Sequence, residues 1–296
     1  MTKFCLRIDR PLDLDSTLDC GQTFRWTKID GWWKGVVRDT VIFLRQERRE
    51  LRVKASSGML FGEDIDRALE RYLGLEDNLE AIHDSIRDRF SALEPETARI
   101  SLKALEEAQG LRILRQNPFE MVVEYILSTR NNIPTIKKMS DGLSAQFSEN
   151  RIEFEDEVFF SFPSLEQTKT IKAEELEELK IAFRVPWLIK LFDSLNSEEY
   201  FESLRTLPLN AKLEELTKFD GIGFKVSSCV TLFAFGELNS FPVDIWITRV
   251  MKDLFGVTGS TKKVMEYGMK TFFPYAGYYQ EALFRYYRTH KLGRDI

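Results

Sequence analysis

Lys225 stands two residues after Gly223 of a Gly221-Ile222-Gly223 turn, and Asp244 follows nineteen residues later behind Pro242-Val243. An amine and a carboxylate so placed have the chemistry of a nucleophile and its electrostatic partner. The lysine falls in the first turn of a helix, where the macrodipole disfavours a cation. Burial in a cleft would lower its pKa further, toward the neutral amine a nucleophile requires. Asp244 precedes Ile245-Trp246-Ile247-Thr248-Arg249 and reads as a helix N-cap. A capping carboxylate is rigidly aimed, and its charge can stabilise a developing cation or take a proton from the amine. Taken singly, Lys225 is an ordinary solvated lysine and Asp244 an ordinary cap. Their pairing in one motif is what points to chemistry.

The elements that position them follow from pattern. Residues 213 to 218 read as a short amphipathic helix, Asp220 to Gly223 as a tight turn, and residues 224 to about 236 as a second, apolar helix. Together they form a helix-hairpin-helix over about 213–236. Gly221 and Gly223 let backbone N–H groups reach the surface, and the second helix adds the partial charge of its N-terminus, which suits a phosphate.

Upstream, residues 1 to about 56 alternate apolar and polar side chains rich in aromatic and β-branched types, as in Val41-Ile42-Phe43-Leu44-Arg45, and predict an antiparallel sheet. From about residue 64 the spacing turns helical to the end of the chain. The expected fold is α+β. An N-terminal antiparallel sheet domain with trailing helices (1–100) packs on an all-helical two-lobed body (101–296) with a central cleft.

Composition bounds the function. A chain of 296 residues, 43% hydrophobic, can bury a sizeable core. It has no apolar run of about 18 residues for a membrane span, and its charged start lacks the apolar core of a signal peptide, so an intracellular location is expected. Cys5, Cys20 and Cys229 have neither disulfide-framework nor zinc-ligand spacing. With 42 Lys+Arg against 47 Asp+Glu the chain lacks an overall basic footprint. Net charge, however, limits nonspecific attraction more than local recognition. The basic run from Arg285 to Arg294 reads equally well as a phosphate-facing segment or as a solvated helix end.

The motif D-G-I-G-F-K-V-S-S-C followed by P-V-D-I-W resembles the helix-hairpin-helix DNA glycosylases, and within them the 8-oxoguanine DNA glycosylase/AP lyase branch. Similar segments recur in the family's order: Gly21 to Trp26, Leu114 to Glu120, Ser128 to Ile133, Phe162 to Leu165, and Gln280 to Phe284. The resemblance implies Lys225 and Asp244 as catalytic residues. It implies a base pocket of Gly21, whose carbonyl would accept the N–H that oxidised guanine gains, with Cys229, Gln280 and Phe284. For the DNA contacts it implies Gly221, Gly223, Arg130, Asn131, Asn132 and Arg184, with Asn131-Asn132 ending a helix that starts at Asn117-Pro118.

Two positions depart from the family pattern. Arg130 stands where the cytosine-reading asparagine is expected and Thr135 where a nearby arginine is, so strict preference for cytosine opposite the lesion is not implied. The expected partner is double-stranded DNA with oxidised guanine, bound by a monomer without metal or organic cofactor, a monovalent cation at the hairpin being left open. Two alternatives stand beside this reading: a monofunctional glycosylase for alkylated bases, which needs no lysine at 225, and a noncatalytic helix-hairpin-helix DNA-binding module.

Overall fold

A computed structural model describes residues 1–290. Five strands, β1 (Thr2–Arg7), β2 (Trp26–Ile29), β3 (Trp32–Val37), β4 (Thr40–Glu47) and β5 (Glu50–Ala55), form an antiparallel sheet of order β1-β5-β4-β3-β2. Strand β1 alternates half-buried and exposed residues, as a sheet with one wet face requires. Strand β4 instead buries both faces. Ile42 and Leu44 join Trp26, Trp33, Leu51 and Val53 against the helix Ile65–Tyr72, while Val41 and Phe43 form a separate small core on the other side.

That second core is closed by an element the helical spacing does not announce. After β6 (Met59–Leu60) and β7 (Glu63–Asp64), the chain makes a hairpin of β8 (Arg151–Phe154) and β9 (Glu157–Phe160) inside the otherwise helical region. Phe154 and Phe159 pack edge-on against Phe43, at 5.1 and 5.7 Å between ring centroids. Glu155 binds Lys3 at 2.9 Å and Lys54 at 2.7 Å, and Glu157 pairs with Lys34. The hairpin thus fastens the sheet to the helical body, and the expectation of uninterrupted helix after residue 64 is corrected there.

The helical body is organised around Pro118–Leu127, in which every residue is buried. Asn117 caps it through the Glu120 amide and Pro118 takes the first helical position, where its missing N–H costs nothing. The helix Phe224–Phe233 packs along it, while Ala276–Thr289 packs on Pro95–Glu107 and Ile245–Phe255.

Candidate active site

Four segments meet around Lys225. The hairpin is built by the helices Leu209–Leu216 and Phe224–Phe233, each shorter at its C-terminus than the expected spans. Gly221 has φ 82°, and a Cβ there would lie 2.5 Å from the Trp187 ring, so only glycine fits. Gly223 is exposed, with open space around it, and leads into the helix at its N-terminus. Ile222 anchors the turn in the core, and Asp220 pairs with Lys190 at 2.6 Å.

Lys225 is half-buried on the second turn-facing residue of its helix. Its Nζ donates to Ser128 Oγ at 2.9 Å and lies 4.9 Å from the centre of the Tyr125 ring. Ser128 Oγ in turn donates to the Tyr125 carbonyl at 2.7 Å, which fixes the hydroxyl. Asp244 caps Ile245–Phe255 by accepting from the Ile247 amide at 2.8 Å, as its position foretold. Burial pushes its carboxyl above the usual range, against the opposing pull of the Ile247 amide and of Lys225. The Lys225 charge is thus near enough to favour the ionised form of Asp244.

Three of the expected pocket residues, Gly21, Cys229 and Phe284, lie around Tyr125 and Lys225, and Gln280 is buried on the helix of Phe284. Cys229 lies one helical turn beyond Lys225, buried, its thiol pushed up to about 12 by burial. Gly21, at φ 91°, faces Phe284, since a Cβ there would sit 3.9 Å from Cε1 of that ring. Gln280 is 3% exposed and its Oε1 has no protein partner. The Gly21 loop is held by fully buried Gln22, whose amide donates to Arg112 O at 2.8 Å and Thr17 O at 2.9 Å and accepts from the Leu114 amide at 2.8 Å.

The DNA-contact residues divide. The helix Pro118–Leu127 ends before Asn131-Asn132. Asn131 donates its amide back to Leu127 O at 2.8 Å, and Asn132 instead opens the next helix, Ile133–Ala145, accepting from the Thr135 amide at 2.9 Å. Their position as a helix stop is therefore corrected: one seals a C-terminus and the other caps an N-terminus. Arg184 is 3% exposed and donates to Thr129 O and Ile181 O, so it supports the turn carrying Arg130 from beneath. Arg130 itself is exposed in left-handed backbone, φ 56°, the kind of strain that collects at functional sites. Of the basic C-terminal run, Arg285 and Arg288 donate to Glu107 O and Asp19 O, and His290 pairs with Glu107. Lys291 to Arg294 lie outside the described residues.

Three residues at the site escaped sequence reasoning. Ser128 and Tyr125 show no signal in spacing, for Tyr125 sits in a helix buried on every side and Ser128 caps its end. Phe183 is 45% exposed, with the guanidinium carbons of Arg184 and Arg130 at 4.3 and 5.9 Å from its ring centre. A large exposed ring between two arginines was visible as Phe183-Arg184, but its outward direction was not.

The likeness to known proteins matches this geometry. Residues 6–122 fit the family model "8-oxoguanine DNA glycosylase, N-terminal domain". The chain is 26% identical over 288 residues to the N-glycosylase/DNA lyase OGG1 of Arabidopsis thaliana, covering 92% of this chain and 76% of that one. It superposes on MBOgg1, solved with a low-affinity DNA ligand, with a TM-score of 0.86 at 26% identity over 98% of this chain and 97% of that one. The chain is thus similar to 8-oxoguanine DNA glycosylases over nearly its whole length. A further structure, the Clostridium acetobutylicum 8-oxoguanine glycosylase/lyase with double-stranded DNA containing cytosine opposite the lesion, aligns with a TM-score of 0.82 at 25% identity, over 98% and 99% of the two chains.

Proposed function

We propose that the protein is a bifunctional DNA glycosylase/AP lyase that removes 8-oxoguanine from duplex DNA. The single observation that supports this most is the half-buried Lys225 amine, held by Ser128 within reach of the Asp244 charge and next to the cluster of Tyr125, Gly21, Cys229 and Phe284. The extruded nucleotide presents its anomeric carbon to Lys225. The amine nitrogen bonds to C1′ as the glycosidic bond breaks, and the electron pair and a proton leave with the base. Asp244 stabilises the positive charge that develops on the sugar. Ring opening gives a lysine–sugar Schiff base, and loss of a C2′ proton expels the 3′ phosphate, nicking the strand. Extrusion costs a few kcal/mol of stacking and pairing, which contacts to Phe284 and Gln280 offset.

In this reading the hairpin amides near Gly221 and Gly223 and the exposed Arg130 hold the duplex. The reaction needs neither a metal nor an organic cofactor, and a monovalent cation at the hairpin would serve phosphate contact alone. No helix among the described residues is long and apolar enough to cross a membrane, and we place the protein's work on genomic DNA inside the cell.

Borohydride trapping on an 8-oxoguanine duplex tests the reading. Wild type should form a covalent adduct and Lys225→Gln none. Base release without an adduct would instead assign the protein as a monofunctional glycosylase, and no release at all as a DNA-binding module.

A further inference from the structure

Tyr125 touches several of the residues assigned to the pocket. Its hydroxyl donates to the Gly21 carbonyl at 3.1 Å across 104 residues of sequence, and the same hydroxyl is within hydrogen-bonding reach of Cys229. The ring cannot swing. It stacks on Phe233 at 5.9 Å with planes 15° apart, takes the Phe24 edge at 5.5 Å, and lies beneath the Lys225 amine. At 2% exposure the hydroxyl has no water to turn to, and burial holds its proton on.

A carbonyl oxygen has two lone pairs. One of the two on Gly21 is occupied by a donor fixed to the helical body, which leaves the other to face an incoming base. The peptide is also clamped from behind, because the next residue, Gln22, is bonded to Arg112, Thr17 and Leu114 and accepts at its own carbonyl from Gln116. Left-handed Gly21 would otherwise be the loosest link in the loop. We infer that Tyr125 is a specificity-determining positioning residue: its hydroxyl fixes the direction of the Gly21 carbonyl so that the free lone pair selects purines carrying N–H at position 7 over those with a bare nitrogen there. The inference rests on the proposed reading of Gly21 as the lesion-sensing acceptor.

The test is binding in a Lys225→Gln background, where turnover is blocked, to duplexes carrying 8-oxoguanine (N–H at position 7) or 8-bromoguanine (bulk at C8, bare nitrogen at 7). The parent should prefer 8-oxoguanine. Adding Tyr125→Phe, which deletes one oxygen and keeps the ring, should reduce that preference about five-fold, the worth of one ordinary hydrogen bond. In the Lys225-containing protein, Tyr125→Phe should raise KM for the lesion more than it lowers kcat. Incision at an abasic site, which presents no base, should fall by a smaller factor than excision of 8-oxoguanine. An unchanged preference, or equal losses in 8-oxoguanine excision and abasic-site incision, overturns the role of Tyr125. A parent without preference overturns the acceptor reading of Gly21 itself, and the inference with it.

Discussion

Lys225 Nζ and Ser128 Oγ are joined by a 2.9 Å hydrogen bond between two helices ninety-seven residues apart in sequence. The serine oxygen already donates to the Tyr125 carbonyl, so it can only accept from the lysine and holds the amine in one rotamer. Ser128→Ala frees four rotatable bonds. The expected result is a fall of about ten-fold in the single-turnover rate of adduct formation, with duplex affinity little changed, read by borohydride quench against gel-shift titration.

Asp244 has two duties that substitution can separate. Asparagine keeps the cap to the Ile247 amide and loses the charge, whereas alanine loses both. Asp244→Asn should slow base release by about a hundred-fold or more while barely moving the melting temperature. Asp244→Ala should cost about 1 kcal/mol of stability in addition. Equal rates for wild type and Asp244→Asn would remove the electrostatic role.

On the proposed reading, the opposite strand would meet Arg130 and Thr135 rather than the asparagine and arginine of the family pattern. Excision of 8-oxoguanine placed opposite each of the four bases should therefore vary by no more than about ten-fold, since a single adaptable arginine discriminates by at most one good base contact. A preference for cytosine of a thousand-fold would defeat this. Arg130→Ala should weaken binding to all four duplexes together.

Stability should fall as pH rises from 6.5 to 8. Burial raises the carboxyls of Glu281 and Glu124 to about 8, so the folded protein holds protons that the unfolded chain, with its ordinary carboxyls, has already released. Each such group lowers stability by at most about 1.4 kcal/mol per pH unit in that window. Below pH 6.5 the trend is opposed by His83, whose burial depresses it to about 4 and which favours the folded state as pH rises toward 6.5. Urea midpoints measured at pH 6.5, 7.2 and 8.0 should show the decline, and Glu281→Gln should flatten it.

Much of this was legible in the residues. The apolar run of mostly β-branched and aromatic residues from Val41 to Leu44 marks β4, buried on both faces as a continuous apolar strand is, and the cap at Asp244 and the glycines of the hairpin carry their own geometric reasons. The hairpin Arg151–Phe160 was missed for a physical cause. Its two turn residues, Glu155 and Asp156, take positive φ of 49° and 62°, a turn that sequence reasoning looks for as Asn-Gly or Asp-Gly. Here the two ion pairs from Glu155 hold a conformation that its residue type does not suggest. The inward turn of Arg184 was hidden for a related reason, because a guanidinium that satisfies backbone carbonyls in the core has the same sequence as one that faces a phosphate.

The fastening of that hairpin to the sheet reaches further than the local fold. Gly21 belongs to the loop leading into β2, while Tyr125, Lys225 and Asp244 belong to the helices. Lys3, Lys54 and Lys34 on the sheet grip Glu155 and Glu157 on the hairpin, so these ion pairs help hold the Gly21 loop in register with the helices that carry Tyr125, Lys225 and Asp244. Raised ionic strength, which screens such pairs, would then loosen that register, which on the proposed reading acts on accuracy as well as on affinity.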